Sequence, residues 1–182
     1  MTLSKSLLRV ALATAIVLLI PLVLMQFSKE MVWSVSDFVI AGALLFGAGL
    51  AYVLVARMGS NGSYRLGAAV AVVAGLLLIW GNLAVGFIGS EDNPANLLYG
   101  GVLAVAAVGA LGARFRPLGM ARAMFAAALT QLLVPLVAAA IWRPELNRGM
   151  LYVLALNTLF AGIWVASGWL FRRAGRSAQA AG

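Results

Sequence analysis

The stretch LGAAVAVVAGLLLIWGNLAVGFIG, residues 66–89, decides the class of fold. It contains no charged residue, and about 20 apolar residues are enough for a helix to cross ~30 Å of hydrocarbon. Because a backbone inside lipid must satisfy its own hydrogen bonds, the stretch is predicted to be a transmembrane α-helix.

Five further apolar segments of similar length lie on either side of this one, at about 7–27, 36–57, 95–112, 119–142 and 149–171. The composition agrees, because 64% of the residues are hydrophobic and 10% are charged. Soluble domains have roughly half apolar and about a quarter charged residues. We therefore predict an all-α polytopic membrane bundle of six transmembrane helices. It forms one domain over 1–171 and is followed by a basic, disordered cytoplasmic tail over 172–182.

The charges between the segments predict the orientation. With the N-terminus in the cytoplasm, the cytoplasmic segments carry only basic residues: Lys5, Arg9, Arg57, Arg65, Arg114, Arg116, Arg122, Arg172, Arg173 and Arg176. The opposite side carries Lys29, Arg143 and Arg148, together with the acids Glu30, Asp37, Glu91, Asp92 and Glu145. This asymmetry predicts that both termini are cytoplasmic, and it assigns the net charge of +8 to topology rather than to nucleic-acid binding.

Several classes of chemistry lack their usual residues. The chain has no Cys and no His, which removes disulfides, thiolate nucleophiles, imidazole bases and nearly all zinc or haem ligation. No charged residue lies deep in a predicted span, whereas ion-coupled transporters generally need one. The predicted cytoplasmic face also lacks the acids that hold metal ions in lipid phosphotransferases. We predict that the protein is not an enzyme and needs no cofactor.

The segment SEDNPANLLYGG, residues 90–101, contains the triplet Asn93-Pro94-Ala95. Aquaporins resemble this chain in having six spans and this triplet, but their pore needs two triplets on two half-helices, and this chain has one. The triplet is explained as a helix start. Asn93 is predicted to be the N-cap, Pro94 to occupy the first turn, and Glu91 and Asp92 to face the positive end of the helix dipole.

The same loop offers oxygen ligands for a hard cation from Glu91, Asp92, Asn93 and Asn96. Calcium takes about six to eight oxygens in good geometry, so four neighbouring oxygens do not define a site. We predict no metal site and treat these residues as an outer loop and helix cap.

Polar side chains inside the predicted spans form the candidate site. At 1.5 Å per residue, Asn82, Asn157 and Gln131 lie roughly 11, 12 and 16 Å below the outer ends of their helices. Thr130 and Thr158 are their neighbours in sequence. Amides at similar depth can line a small polar cavity or can join helices to one another, and measured interhelical contacts average about 0.6 kcal/mol. Both interpretations stay open from the sequence.

Two prolines are predicted to kink their helices. Pro21 lies in LLIPLV, residues 18–23, and Pro135 lies in the matching LLVPLV, residues 132–137. A proline cannot donate to the carbonyl four residues earlier, so the Gln131 carbonyl is expected to be free.

A wider resemblance covers most of residues 33–131. WSVSDFVIAGALLFGAGLAYVLVAR (33–57), the stretch 64–101 and GARFRPLGMARA (112–123) resemble small six-helix bacterial inner-membrane proteins of uncharacterised function. The resemblance implies a bacterial inner (plasma) membrane and brings neither a substrate nor a functional residue.

Two functions follow from these features. The first is a structural, accessory or regulatory membrane component, suggested by the absence of buried charge. The second is a passive facilitator of a small neutral solute or ion, through an outward-facing cavity near the amides. Lipid is the expected partner, and a homo-oligomer or a membrane-protein partner stays open. Gly42 and Gly49 form a small-residue seam on the second helix that suits packing against another helix.

Overall fold

The computed structural model describes residues 2–28, 32–59, 61–142 and 148–180. The α-helices are α1 (Leu3–Phe27), α2 (Val35–Ala56), α3 (Gly62–Ala84), α4 (Leu98–Gly112), α5 (Pro117–Trp142) and α6 (Arg148–Ala180). A 3-10 turn, η1 (Pro94–Leu97), leads directly into α4. Counting η1 with α4, the six helices are each long and apolar enough to cross a membrane. The described part of the chain contains no strand, so the predicted all-α, multi-pass membrane architecture is confirmed.

Four charges used in the orientation argument lie outside the described residues: Lys29, Glu30, Arg143 and Glu145.

The third helix is shorter than the apolar run that predicts it. It ends at Ala84 rather than near residue 89, because Gly86 and Gly89 adopt φ angles of +67° and +75°. These left-handed conformations suit glycine and end a right-handed helix. Residues 85–93 therefore form a folded loop, called the α3–α4 loop below.

The last helix is longer than the sequence predicts. The tail expected to be disordered from residue 172 continues α6 to Ala180. Phe171 and Ala174 are completely buried, and Asn61 Nδ2 donates to the Ala174 carbonyl at 3.1 Å. The segment is helical because one face of it packs inside the protein, while its arginines occupy the exposed face.

The chain separates into two compact units, residues 1–54 and 55–182. In the first unit, α1 and α2 run antiparallel. A Cβ added to Gly49 would lie 2.5 Å from Val10, and one added to Gly42 would lie 3.4 Å from Leu18. The small-residue seam on α2 is therefore used for packing against α1.

The start of α2 is held by hydrogen bonds between Ser34 and Asp37. The helix begins at Val35, and Ser34 precedes it. The backbone N–H and the hydroxyl of Ser34 both donate to Asp37 Oδ2 at 2.7 Å, and Asp37 N donates to Ser34 Oγ at 3.3 Å. This reciprocal pair is a capping box, so Ser34 fills the cap position.

The second unit packs α3, α4, α5 and α6 around small residues. A Cβ added to Gly109 of α4 would lie 2.7 Å from Ala123 of α5, and one added to Gly168 of α6 would lie 2.8 Å from Phe125. Ser167 of α6 donates to the Gly67 carbonyl of α3 at 2.8 Å. In lipid, such close approach replaces the hydrophobic driving force that joins helices in water.

The turn between α4 and α5 is a Schellman motif. Phe115 N donates to the Ala110 carbonyl at 3.1 Å, and Arg114 N donates to the Leu111 carbonyl at 2.9 Å. Arg114 takes the position that usually holds glycine, with a φ of +48°. Tyr64 of α3 donates its hydroxyl to the Phe115 carbonyl at 2.8 Å. This end of the unit is called the 113–116 end below.

Candidate functional site

Two of the three predicted amides meet in the interior of the second unit. Gln131 Nε2 of α5 donates to Asn157 Oδ1 of α6 at 3.0 Å. Asn157 Nδ2 in turn donates to the Tyr99 hydroxyl of α4 at 2.8 Å and to the Val153 carbonyl at 2.8 Å. Gln131, Asn157 and Tyr99 are 0%, 1% and 2% exposed. They form a closed polar group, called the amide cluster below, that joins α4, α5 and α6.

The third amide, Asn82, does not join this cluster by a hydrogen bond. Its Nδ2 donates at 2.7 Å to the carbonyl of Leu78, one turn earlier in α3. Similar depth allowed the three amides to meet, but the hydrogen bonds of these side chains join only Gln131 and Asn157. Equal depth fixes the level of a side chain in the membrane, but rotation about the helix axis decides its partner.

The two threonines also bond within their own helices. Thr130 donates to the Ala126 carbonyl at 3.0 Å, and Thr158 donates to the Leu154 carbonyl at 2.8 Å. Serine and threonine commonly satisfy their hydroxyls on the carbonyl four residues earlier in a helix. Neither threonine is part of the amide cluster.

Tyr99 is a member of the amide cluster that was not among the predicted site residues. It lies in the apolar run after the Asn-Pro-Ala triplet. A phenol within an apolar span needs a hydrogen-bond partner when it is buried, and that requirement is the signal that identifies it.

Three buried polar atoms have no hydrogen-bond partner among the described residues. They are Asn82 Oδ1, Gln131 Oε1 and Trp164 Nε1. An unpaired polar group in an apolar interior costs roughly 1–3 kcal/mol by mutational measures. Within the amide cluster, the Gln131 oxygen is the buried side-chain atom without a partner among the described residues.

Asn96 holds the α3–α4 loop. Its Oδ1 accepts from the backbone N–H groups of Phe87 and Ile88 at 3.0 and 2.9 Å, and its Nδ2 donates to the Ser90 carbonyl at 2.7 Å. The side chain is 9% exposed. Because its oxygen already accepts two N–H groups, Asn96 is an organiser of the loop rather than a free ligand for a cation.

The Asn-Pro-Ala triplet starts a helical turn. Asn93 is the N-cap of η1 and accepts from Ala95 N at 2.9 Å, and Pro94 is the first residue of the turn. Glu91 and Asp92, which precede the cap, are exposed. Among the described residues, no group of three or more acids, histidines or cysteines could hold a metal ion.

A cavity of about 700 Å³ lies beside this loop. Residues from the α3–α4 loop, the second half of α5 and the first turns of α6 line it. The described lining residues are Val85, Gly86, Phe87, Ile88, Gly89, Asn93, Pro135, Ala138, Ala139, Gly149, Met150, Tyr152, Val153 and Leu156. The cavity is called the loop cavity below.

The loop cavity and the amide cluster share their supporting residues. Phe87, which lines the cavity, packs edge-on against Tyr99 with ring centroids 5.4 Å apart, and lies 5.3 Å from the Phe160 ring. Val153 lines the cavity, and its carbonyl accepts from Asn157. Phe87 and Val153 therefore connect the amide cluster directly to the wall of the loop cavity.

The two prolines occupy different surroundings. Pro135 lines the loop cavity one turn beyond Gln131 and is buried in α5, which is assigned as helix on both sides of it. Pro21 is the one buried residue of α1, which is also helical throughout Leu3–Phe27. Neither proline ends its helix.

No protein-family model matches this chain, and no curated protein or solved structure is similar to it.

Proposed function

We propose that this protein is a non-catalytic component of the bacterial inner membrane, with a structural, accessory or regulatory role. The observation that supports it most is the closure of the amide cluster. Its three side chains are at most 2% exposed, and they hydrogen-bond to one another across α4, α5 and α6. A transport path needs polar groups that face the solute, whereas these groups face each other.

The chemistry of the buried polar residues supports the same role. In the described part of the chain, the buried polar residues are Asn96, Gln131, Asn157 and Ser167, and none of these side chains ionises near neutral pH. Ion-coupled transport and acid–base catalysis in membranes generally use an embedded ionisable group. Interhelical amide contacts instead fix which helices pair and in what register.

The proposed orientation has both termini in the cytoplasm. Hydrogen bonds from Asn61 to Ala174 and from Tyr64 to Phe115 gather the start of α3, the α4–α5 turn and the end of α6 at the 113–116 end. The basic residues in these segments are Arg57, Arg65, Arg114, Arg116, Arg122, Arg172, Arg173 and Arg176. The α3–α4 loop carries Glu91 and Asp92, and this asymmetry favours a cytoplasmic 113–116 end.

Orientation is directly testable because the chain has no native cysteine. Ser177→Cys and Ser90→Cys provide one thiol at each end of the second unit. A membrane-impermeant maleimide added to intact spheroplasts is expected to label the Ser90 variant alone, and to label both after lysis. Labelling of the Ser177 variant in intact spheroplasts would show that the orientation is opposite to the proposed one.

The functional test compares Asn157→Leu with Thr158→Val in reconstituted liposomes. Thr158 is the neighbouring residue and bonds only within its own helix, so it controls for substitution at this depth. We expect lower stability for the Asn157 variant alone. We also expect no osmotic flux of small neutral solutes and no cation leak from either variant or from the parent chain.

A second function, passive facilitation of a small neutral solute or ion, is favoured by one specific observation. Gln131 Oε1 is buried without a partner in the cluster, one turn from Pro135 in the cavity wall. The same liposomes decide between the two functions. Solute flux through the parent chain that falls with Ala139→Phe, which fills the loop cavity, and persists with Ala140→Phe, at an exposed position, would replace the accessory role with the facilitator.

A further inference from the structure

The loop cavity is a built feature rather than a gap between loosely packed helices. Its loop wall is fixed by two backbone N–H groups that donate to Asn96 Oδ1 and by the contacts of Phe87 with Tyr99 and Phe160. Two glycines with positive φ, Gly86 and Gly89, set the path of this wall. Its volume of about 700 Å³ lies within the ~300–1,000 Å³ of small-molecule sites, which are usually preformed.

The described lining is apolar in nearly every side chain. The opposing walls are formed by Pro135, Ala138 and Ala139 of α5 and by Val153 and Leu156 of α6. Genuinely apolar cavities stay dry and take up apolar molecules, because water inside them finds too few hydrogen-bond partners. The lining therefore selects for hydrocarbon over water or a hydrated ion.

Two described lining side chains carry polar groups, and neither is charged. Asn93 uses its oxygen as the helix cap, which leaves its Nδ2 without a hydrogen-bond partner in the described part of the chain. Tyr152 is 75% exposed, and its hydroxyl likewise has no partner there. Both groups can donate a hydrogen bond. They fit an oxygen acceptor on an uncharged head, such as an ester or an ether.

We propose that the loop cavity binds one hydrocarbon chain that carries an uncharged oxygen acceptor at its head. The chain lies against α5 and α6, and the acceptor meets Asn93 and Tyr152. The exposed Tyr152 and Val85, 75% and 61% exposed, mark where the chain enters. The ligand is either an ester-linked chain of a membrane lipid or a free single-chain ester. This inference does not depend on the proposed accessory role.

The test uses a palmitoyl glycerol ester with a photoreactive diazirine near the chain end, in phosphatidylcholine liposomes containing the full chain. After illumination, peptide mass spectrometry locates the adducts. We expect them to concentrate on cavity residues such as Met150, Val153 and Leu156. Adducts spread evenly over the lipid-exposed faces of the helices would overturn the proposal, because that pattern is nonspecific contact with lipid.

Matched variants test whether the labelling is specific to the loop cavity. Ala139→Phe fills the cavity and is expected to reduce cavity labelling at least fivefold, while Ala140→Phe, on the exposed side of the same helix, leaves it unchanged. Tyr152→Phe removes one hydrogen bond to the head and should weaken competition by unlabelled ester about fivefold. Circular dichroism of each variant checks that it is folded. Equal cavity labelling in the Ala139 and Ala140 variants would refute the site.

Competition identifies the source of the chain. In dodecyl maltoside micelles, which contain no phospholipid, displacement of the probe by added phosphatidylcholine indicates a bilayer lipid, and displacement by palmitoyl glycerol alone indicates a free ester. Both results support the proposed chemistry. If the palmitate anion or hexadecane displaces the probe as well as the ester does, the uncharged acceptor has no role and the assignment to Asn93 and Tyr152 fails.

Discussion

Replacement of Asn157 by leucine tests the amide cluster most directly. The variant loses the hydrogen bonds to Gln131 and Tyr99, which lie on two other helices. At the measured average of about 0.6 kcal/mol for each interhelical contact, these two bonds account for ~1.2 kcal/mol. The change also leaves Gln131 Nε2 and the Tyr99 hydroxyl unpaired in a site at most 2% exposed. The penalty of roughly 1–3 kcal/mol applies to each of these two orphaned groups and already contains the lost bond, so we expect a total loss of about 2–6 kcal/mol.

The double variant Asn157→Leu with Gln131→Leu separates this mechanism from simple loss of packing. It removes the orphaned Nε2 together with the Gln131 oxygen, which is unpaired in the parent chain. Replacing both partners of a buried hydrogen bond by apolar groups is often close to neutral. The double variant is therefore expected to be about 1–2 kcal/mol more stable than Asn157→Leu alone.

The measurement is the free energy of unfolding in mixed micelles, followed by far-ultraviolet circular dichroism as SDS is added. Thr158→Val serves as the control at the same depth and is expected to differ from the parent by less than about 0.5 kcal/mol. Strictly additive effects of the two leucine substitutions would refute the reasoning. Additivity means that the two amides do not interact, because coupled residues give non-additive free energies.

Three further changes test the loops that frame the second unit. Arg114→Gly should raise the unfolding free energy by about 1 kcal/mol, because glycine adopts the φ of +48° without a Cβ clash. A decrease would mean that contacts of the arginine side chain stabilise the protein more than the left-handed backbone destabilises it. Gly86→Ala should lower the unfolding free energy by about 1–3 kcal/mol, because φ is +67° and the new Cβ would overlap the Ser90 carbonyl. An unchanged melting temperature would contradict this loop geometry. Asn96→Leu should lower the unfolding free energy by about 2–4 kcal/mol and increase protease cleavage within residues 85–93, since the Phe87 and Ile88 N–H groups lose their acceptor. Resistance to the protease equal to that of the parent chain would show that other contacts hold the loop.

The ends of the elements separate what local sequence decides from what packing decides. The Asn93-Pro94 helix start could be predicted because a cap needs only neighbouring residues. The cap of α2 needed the structure, since Ser34, Ser36 and Asp37 are all suitable capping residues and only the backbone path selects Ser34 among them. The end of α6 was misjudged because Phe171 and Ala174 become buried only through contacts with distant parts of the chain.

The candidate site shows the same division. Composition and periodicity placed Gln131 and Asn157 inside the membrane at similar depth, so that contact between them was possible. They could not exclude Asn82 or include Tyr99, because partner choice depends on the rotation of each helix about its axis. The loop cavity had no signal in the sequence, because its walls come from α5, α6 and the α3–α4 loop, and residues 85–89 of that loop were predicted to be helix.

The sequence by itself determined the membrane class, the number of spans and their approximate limits. The physical reason is that lipid imposes a length and an apolar composition on each helix separately, so each segment can be recognised alone. The tertiary structure alone decided the separation into two units, the membership of the amide cluster and the existence of the cavity. These depend on how several helices rotate and approach one another, which in lipid is set by small-residue contacts and by a few hydrogen bonds.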